Sequence, residues 1–396
     1  MPSCDVAVIG AGPIGCYTAW QLASRGYSVL ALEEHESVGE PQHCTGVIGL
    51  EAFRRFDLPT DCIERKLSRA RMYSPGGEWL DIDGREPRAV IVDRCAFDRE
   101  LAARAEQAGA QVLLETRAYR LETGGEGVVV RARGNDGPLD VQARLCLAAT
   151  GIAGRLLRDA GLATSAQYIY GARTEVKSKG LKQVEIYFGR SVVPGGFAWA
   201  VPSSKGTARV GMAGPPMVDA LLKRFLRSGA ASERLVLNGE KVRCRPIPVR
   251  PFRPSFGDRI LAVGDAAGQV KTTTGGGVFY GLLGAEVAVE TACRAFERGD
   301  FSAAFLSRYE REWTRRIGSE QRTGLLFRRI GSMLSDRQID AIFRTLRVTG
   351  LSARLAGAAE FDWHARPTLL AMLVGTAARV AGLDLLKDGR GRKEAA

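Results

Sequence analysis

The run Gly10-Ala11-Gly12-Pro13-Ile14-Gly15 constrains the fold of this chain more than any other segment. The apolar stretch Cys4 to Ile9 before it reads as a buried strand, and a helical pattern through Tyr17, Ala19, Leu22 and Ala23 follows, up to Arg25-Gly26. A second apolar stretch, Val29 to Leu32, ends at Glu33, 18 residues beyond the third glycine. Strand, glycine turn, helix, strand and terminal acid, in this order, are what dinucleotide binding requires. Gly10 permits the tight turn, Gly12 lets a pyrophosphate approach the backbone, and Gly15 lets the helix pack closely on the strand. The free N–H groups and the positive end of the helix then hold the phosphates. Glu33 is placed to accept from the hydroxyls of an unphosphorylated adenosine ribose; the competing reading is a glycine-rich turn with a surface glutamate.

The remainder reads as a discontinuous α/β chain, and 396 residues are too many for one simple core. From 50 to 85 the βα alternation lapses into short pieces broken by Pro and Gly, such as Ser74-Pro75-Gly76-Gly77. It resumes with a strand over Ala89 to Val92, a helix over Cys95 to Ala108 and a strand over Gln111 to Glu115. Gly127 to Arg133 then pairs across Asn135-Asp136-Gly137 with Val141 to Ala149. Between 164 and 245 strand follows strand, as in Val184 to Phe188, Phe197 to Val201 and Ala208 to Ala213, which implies an inserted antiparallel sheet. Arg259 to Val263 is again a buried strand, leading to Gly264-Asp265 and, through a threonine-rich loop, to Gly275-Gly276-Gly277 at the head of a long helix. The expected organisation is a nucleotide-binding domain from 1–49, 86–163 and 246–300, a substrate domain from 50–85 and 164–245, and a helical region over 301–396 with a basic tail. In that last region Ser335 and Gln338 form a capping box, and Ile339, Ile342, Phe343 and Leu346 share one helix face.

Composition narrows the function. The net charge of +12 is compatible with an anionic membrane surface or with a merely solvated basic face. Aromatics are 7% and are not interleaved with basic runs, which argues against nucleic acid. The eight cysteines contain no Cys-x-x-Cys pair and the chain has three histidines, so no metal site is expected. No basic and apolar leader precedes the first strand, and the uncharged stretch between Arg366 and Arg379 is short of the ~20 residues that span a bilayer. The expectation is a cytoplasmic protein with reduced thiols, with peripheral contact at the inner face of the cell membrane left open.

Several further motifs occur in one order along the chain: Pro41-x-x-Cys44-x-Gly46, Asp93-Arg94-x-x-Phe97-Asp98-x-x-Leu101, Phe197-x-Trp199-x-x-Pro202 after Pro194-Gly195, Gly264-Asp265-Ala266-Ala267 with Gly275-Gly276-Gly277, and Phe361-Asp362. Together with the fingerprint they resemble the geranylgeranyl reductase family of the flavoprotein monooxygenase-like superfamily, digeranylgeranylglycerophospholipid reductases among them. The resemblance covers nearly the whole chain. It implies a Rossmann-type FAD-binding fold and FAD contacts from Gly10, Gly12, Pro13, Gly15, Glu33, Cys44, Thr45, Gly46, Arg94, Ala118, Gly264, Asp265, Gly276, Gly277 and Val278. Arg94 at a helix start offers a cation near the phosphates, Asp265 an acceptor for ribityl hydroxyls or else a helix cap, and the helix after Gly277 a positive end toward the flavin pyrimidine ring. His35 after Glu34 and Thr45 after Cys44 depart from the pattern and leave the subfamily open.

The implied chemistry is hydride transfer from flavin N5 to an isolated carbon–carbon double bond of a polyprenyl lipid or prenylquinone. Cys44 is the candidate catalytic residue, with a small buried hydrophobe as its plain alternative. Cys44, Tyr280 or a water are candidates for the proton donor. Phe197 and Trp199, two apart on a strand, face one side and either wall an apolar tunnel or simply pack the core. No second glycine fingerprint marks an NAD(P)H site, so the electron donor is either transiently bound NAD(P)H or a small reduced iron–sulfur protein of ferredoxin type. The rival readings are an FAD monooxygenase acting on a hydrophobic substrate, a halogenase, for which the family's lysine has no place here, and a non-catalytic flavin- or lipid-binding protein.

Overall fold

The structure, a computed structural model, describes residues 1–84, 86–152, 154–162, 167–203, 206–227, 231, 234–236, 241–350 and 361–363. The stretch 366–379 and the basic tail considered above lie outside the described residues.

The fully buried strand residues Val6, Ala7, Val8 and Ile9 demand cover on both faces, and the chain provides it with a parallel sheet. Ser3–Ile9 pairs in parallel with Val29–Leu32 on one side and Gly137–Ala148 on the other; Val29–Leu32 pairs onward with Gln111–Leu113, and Gly137–Ala148 with Ile260–Ala262. Numbered along the chain, these five strands stand in the order 3-2-1-4-5. That order reverses at Ser3–Ile9, and ligands of open α/β sheets bind in the crevice beyond the strand ends at such a reversal. On one face lie the helices Pro13–Ala23, Arg94–Gln107, Val278–Arg298 and Ala303–Met333, packed through Leu22, Phe97, Leu101, Leu283 and Leu306. The other face is covered by Leu156 and Leu157 of the helix Gly154–Asp159 and by an antiparallel meander of Arg117–Gly124, Gly127–Gly134 and Gly137–Ala148.

The second sheet runs Leu235–Val236, Tyr168–Ser178, Thr207–Gly214, Phe197–Pro202, Val184–Phe188, Arg69–Tyr73 and Trp79–Asp83, with Arg243–Pro248 also paired to Tyr168–Ser178. It is not wholly antiparallel, as the strand succession had suggested: Val184–Phe188 lies parallel to Arg69–Tyr73, because the two segments come from distant parts of the chain and need no hairpin between them. Two other expectations are corrected. Ala89–Val92 does not enter the parallel sheet, and Ile63–Leu67 does not enter the second sheet; with Val47–Gly49 they form a separate three-stranded sheet. Burial explains this, since Ala89, Val90, Ile91 and Val92 all exceed nine-tenths burial between the helical layer and the second sheet and so cannot be told from a parallel-sheet strand by pattern. At the far end Ser335 and Gln338 complete the capping box of the helix Asp336–Val348, whose Phe343 ring packs against Phe188 at 6.1 Å. Among the described residues no helix is long and apolar enough to cross a membrane.

The helix Ala303–Met333 holds the Gly264–Thr272 segment by buried polar contacts. Tyr309 Oη donates to Ala262 O at 2.7 Å and accepts from Gln269 Nε2 at 2.8 Å, while Gln269 Oε1 accepts from the Gly264 N–H at 2.8 Å. Gln321 Nε2 donates to the carbonyls of Gly268 and Val270 at 2.8 and 3.2 Å. Tyr309 and Gln269 are both 0% exposed, so losing the hydroxyl leaves Ala262 O and Gln269 Nε2 without partners and without water. Tyr309→Phe is expected to lower the unfolding free energy by about 1–3 kcal/mol in urea titrations, with an unchanged slope.

Candidate active site

One cleft of about 1710 Å³ runs from the fingerprint turn to the second sheet. Its first end is built from glycine geometry. Gly10 has φ +97°, and a Cβ there would stand 2.6 Å from Ala149 O; a Cβ on Gly15 would stand 1.8 Å from Gly10 O. Nothing lies within 4 Å of a Cβ on Gly12. Gly10 and Gly15 therefore serve backbone packing, and Gly12 faces open space. Pro13 opens the helix and no side chain caps Gly12, so the first N–H groups are left for a ligand. Glu33 is fixed by the Ala11 N–H at 2.8 Å, the His35 N–H at 3.1 Å and His35 Nδ1 at 2.5 Å. His35, a departure from the family pattern, thus orients the acid meant for a ribose. Ala118 lines the same end from the strand Arg117–Gly124, which sequence reading missed because its charged, half-exposed residues carry no apolar run.

Gly264, Asp265, Gly276, Gly277 and Val278 line the middle of the cleft. Asp265 caps nothing, and a Cβ on Gly277 would lie 2.6 Å from its Oδ1. The helix Val278–Arg298 begins at Gly277 without a side-chain cap, a second free N-terminus turned to the cleft. Burial raises the Asp265 pKa from 3.8 to about 6, against the opposing cations Arg94 and Arg245. Two uncapped helix ends, an acid at each end of the run and a continuous cleft between them fit FAD: Gly12 to Ile14 for the pyrophosphate, Glu33 for the ribose, Asp265 for the ribityl chain and Gly277-Val278 for the pyrimidine edge.

The Cys44–Gly46 loop forms the next wall and is held by arginines that sequence reading did not single out. Arg173 donates to Cys44 O. Arg209 donates to Thr45 O at 3.1 Å and Val92 O at 2.8 Å, and to both oxygens of Glu64 at 2.7 and 2.9 Å. Thr45 Oγ1 accepts from Trp199 Nε1 at 2.9 Å. A cation between uncharged strand residues, as in Ala172-Arg173-Thr174 and Ala208-Arg209-Val210, was the available clue. Cys44 lines the cleft, and its Sγ accepts from the Gly46 N–H at 3.4 Å. Gly46 itself is not in the cleft wall; with φ +83° and Val92 O at 2.6 Å from a Cβ, it shapes the loop. Arg94 lines the cleft, and its guanidinium bonds Asp98 through Nη2 and Nε at 2.8 and 3.1 Å and reaches the Cys44 thiol. Tyr280 is withdrawn as a proton donor: its ring is 2% exposed and packed with Phe279 and Trp363 in the helical core.

Beyond the loop the cleft becomes apolar. Phe197 and Trp199, centroids 5.5 Å apart, line it with Val47, Leu67, Val184 and Ile186. The same two rings also pack on Ile169, Ala213 and Val249. Beside Gly276 stands a buried ion pair, Lys271 Nζ to Asp362 Oδ1 at 2.7 Å, with the Phe361 ring 4.5 Å from the ammonium. Among the described residues no group of three or more His, Cys, Asp or Glu side chains could hold a metal.

Two outcomes follow. A raised Asp265 pKa means that its stabilising proton is fully bound below about 3.8 and lost as pH rises through about 6 in the cofactor-free protein. Asp265→Asn is therefore expected to raise the apoprotein melting temperature at pH 7, with the gain gone below about pH 4, while flavin binding weakens. Arg209→Met leaves Glu64 and two carbonyls without their cation; a loss of about 3 kcal/mol is expected, with a red shift of the Trp199 emission as the Thr45 contact loosens.

The family described as Lycopene cyclase protein matches residues 5–349. Digeranylgeranylglycerophospholipid reductase 2 of Methanothermobacter thermautotrophicus is 34% identical over 369 residues, covering 88% of this chain and 93% of that protein. Digeranylgeranylglycerophospholipid reductase 1 of Methanopyrus kandleri is 35% identical over 329 residues, covering 78% and 85%. Among solved structures, a geranylgeranyl bacteriochlorophyll reductase-like protein of Thermoplasma acidophilum aligns with a TM-score of 0.83 at 22% identity, over 95% of this chain and 100% of that one. The p-nitrophenol 4-monooxygenase of Pseudomonas putida aligns at 0.68 and 17% identity over 97% and 99%, a likeness of fold alone. With such identity to the reductases over most of its length, the chain belongs to the geranylgeranyl reductase family of FAD-dependent oxidoreductases.

Proposed function

We propose that this protein reduces isolated carbon–carbon double bonds in a polyprenyl chain of geranylgeranyl type. The observation that carries the reading is the continuity of the cleft: the apolar stretch at Phe197 and Trp199 opens onto the same space as Asp265, Gly277 and the Cys44 loop. Bound FAD supplies the hydride, which no side chain here can. Phe197, Trp199, Val184 and Ile186 orient the chain and exclude water from it. Arg173 and Arg209 keep the Cys44–Gly46 loop against the cleft. The second carbon of the alkene needs a proton, and with Tyr280 buried the donors that fit are Cys44 Sγ and a water at the loop. The named relatives support a reductase, whereas the monooxygenases and halogenases among the structural neighbours share the fold at 14–19% identity.

The reading extends to partners. Either NAD(P)H, bound transiently, or a reduced iron–sulfur protein supplies the electrons. The charge of +12 favours contact with an anionic membrane, where a polyprenyl substrate resides.

The test is anaerobic. The yellow protein is reduced with dithionite and mixed with a geranylgeranyl lipid, and flavin reoxidation is followed beside product mass. A gain of two hydrogens with matching reoxidation is expected; flavin that stays reduced until oxygen enters would sink the reductase and favour the monooxygenase. Cys44→Ala is expected to slow reoxidation by about 10²-fold if Sγ gives the proton, and an unchanged rate assigns that step to water.

A further inference from the structure

We propose that Lys271 is a cation held at the pyrimidine end of the flavin site by Asp362 and Phe361, and that it keeps the reduced flavin in its anionic form. This rests on the flavin reading of the cleft at Gly276 to Val278 and not on the identity of the substrate.

Lys271 is fixed through main chain and side chain alike. Its N–H donates to Gly276 O at 2.9 Å and its carbonyl accepts from the Gly275 N–H at 2.7 Å, so the residue folds back onto the glycines that head the helix Val278–Arg298. The residue is 6% exposed, and Nζ donates to Asp362 Oδ1 at 2.7 Å and to Phe361 O at 3.3 Å. The Phe361 ring, 4.5 Å from the ammonium, adds a cation–π contact. Two glycines from distant parts of the chain leave room for this arrangement. A Cβ on Gly276 would stand 3.0 Å from Lys271 Cε, and a Cβ on Gly49 would stand 1.7 Å from Asp362 Oδ2. Trp363 anchors the same segment: its Nε1 donates to both oxygens of Glu51 at 3.0 and 3.1 Å, and its ring packs on Phe279 and Tyr280.

Stability does not account for such a pair. Taking both ions out of water is costly, and apolar residues of similar volume often serve a fold as well. The arrangement is also one-sided. Lys271 and Phe361 line the cleft, whereas Asp362 is 2% exposed and outside the cleft wall. Among the described residues Asp362 Oδ2 has no hydrogen-bond partner, so the carboxylate serves the ammonium alone. The pair is therefore a dipole with its positive end at the cleft, next to the uncapped N-terminus of Val278–Arg298. Both favour negative charge at that place, the more so where water is excluded. Flavin that takes up two electrons and one proton from a reduced donor carries one negative charge on its pyrimidine ring, and a second proton would cancel it. A cation beside that ring favours the charged form.

The test uses the FAD-loaded protein without substrate, reduced anaerobically with dithionite, and reads from the absorption spectrum the pH at which the reduced flavin passes from anion to neutral form. The native chain is compared with Lys271→Met, Asp362→Asn and the double variant. Asn keeps an acceptor for Nζ and removes the opposing charge. The transition of Lys271→Met is expected about one pH unit or more above the native one, a tenfold weaker hold on the anion. That of Asp362→Asn is expected at or below the native one. The double variant, which leaves no lone buried ion, is expected to follow Lys271→Met. Asp265, Glu51, Arg94 and Arg245, the other charged groups around Asp265 and Asp362, are the same in all four proteins. Either single substitution breaks the ion pair, so a merely structural pair moves both transitions in one direction, and that result overturns the proposal. Coincident transitions in all four proteins overturn it as well, as does loss of flavin from the double variant. No prenyl compound enters the measurement, so a failure here is separate from a failure of the polyprenyl reading.

Discussion

Two helix N-termini that lack a side-chain cap govern this structure. An N-cap side chain is worth about 1 kcal/mol, and the helices beginning at Pro13 and Val278 both forgo it. Their free N–H groups point into one cleft, where a ligand must supply the missing acceptors. Much else follows from that requirement. Glycine stands at 12 because backbone must be exposed there, at 10 and 15 because strand, turn and helix touch, and at 277 because Asp265 leaves no room for a Cβ. Among the described residues no hydrogen bond or ion pair engages Asp265 beside Gly277, and its burial raises its pKa. The buried contacts of Tyr309 and Gln321 then brace the segment that carries Asp265.

The second organising element is cationic. Arg209 and Arg173 sit at inward positions of the large sheet and reach across to the Cys44–Gly46 loop. Arg209 is 5% exposed and bonded to Glu64 of the three-stranded sheet, so one guanidinium ties the large sheet, the small sheet and the loop together. Such a pair adds little net stability over an apolar replacement. Its worth lies in geometry: a bidentate fork fixes the distance between layers in a way that interchangeable aliphatic contacts do not.

The nucleotide end was legible in the sequence because its constraints are local. Gly10 to Gly15, Glu33 and the flanking apolar strands lie within about thirty residues, each with one physical task. Strands 184–188 and 197–202 and the capping box at Ser335 were legible for the same reason. What escaped was long-range. Ala89–Val92 has the composition of a parallel-sheet strand, and its neighbours, Val47–Gly49 and Ile63–Leu67, cannot be read from its residues. Arg94 lines the cleft and is also bonded to Asp98, a partner that a spacing of four residues alone did not single out. Tyr280 follows the glycine turn in sequence yet points into the helical core, a matter of helix phase that packing decides.

The parallel pairing of Val184–Phe188 with Arg69–Tyr73 has a bearing on how the chain assembles. The second sheet joins segments before and after the strand Gly137–Ala148 and has its last strand end at Pro248, while the first sheet receives Ile260–Ala262 only after that. The first sheet therefore waits for residues that lie beyond the whole of the second. The pairings that close the two carry the loop entropy of more than a hundred intervening residues each. The second sheet is thus inserted in chain order between strands of the first, and the cleft between them is complete only once Ile260–Ala262 has joined the parallel sheet.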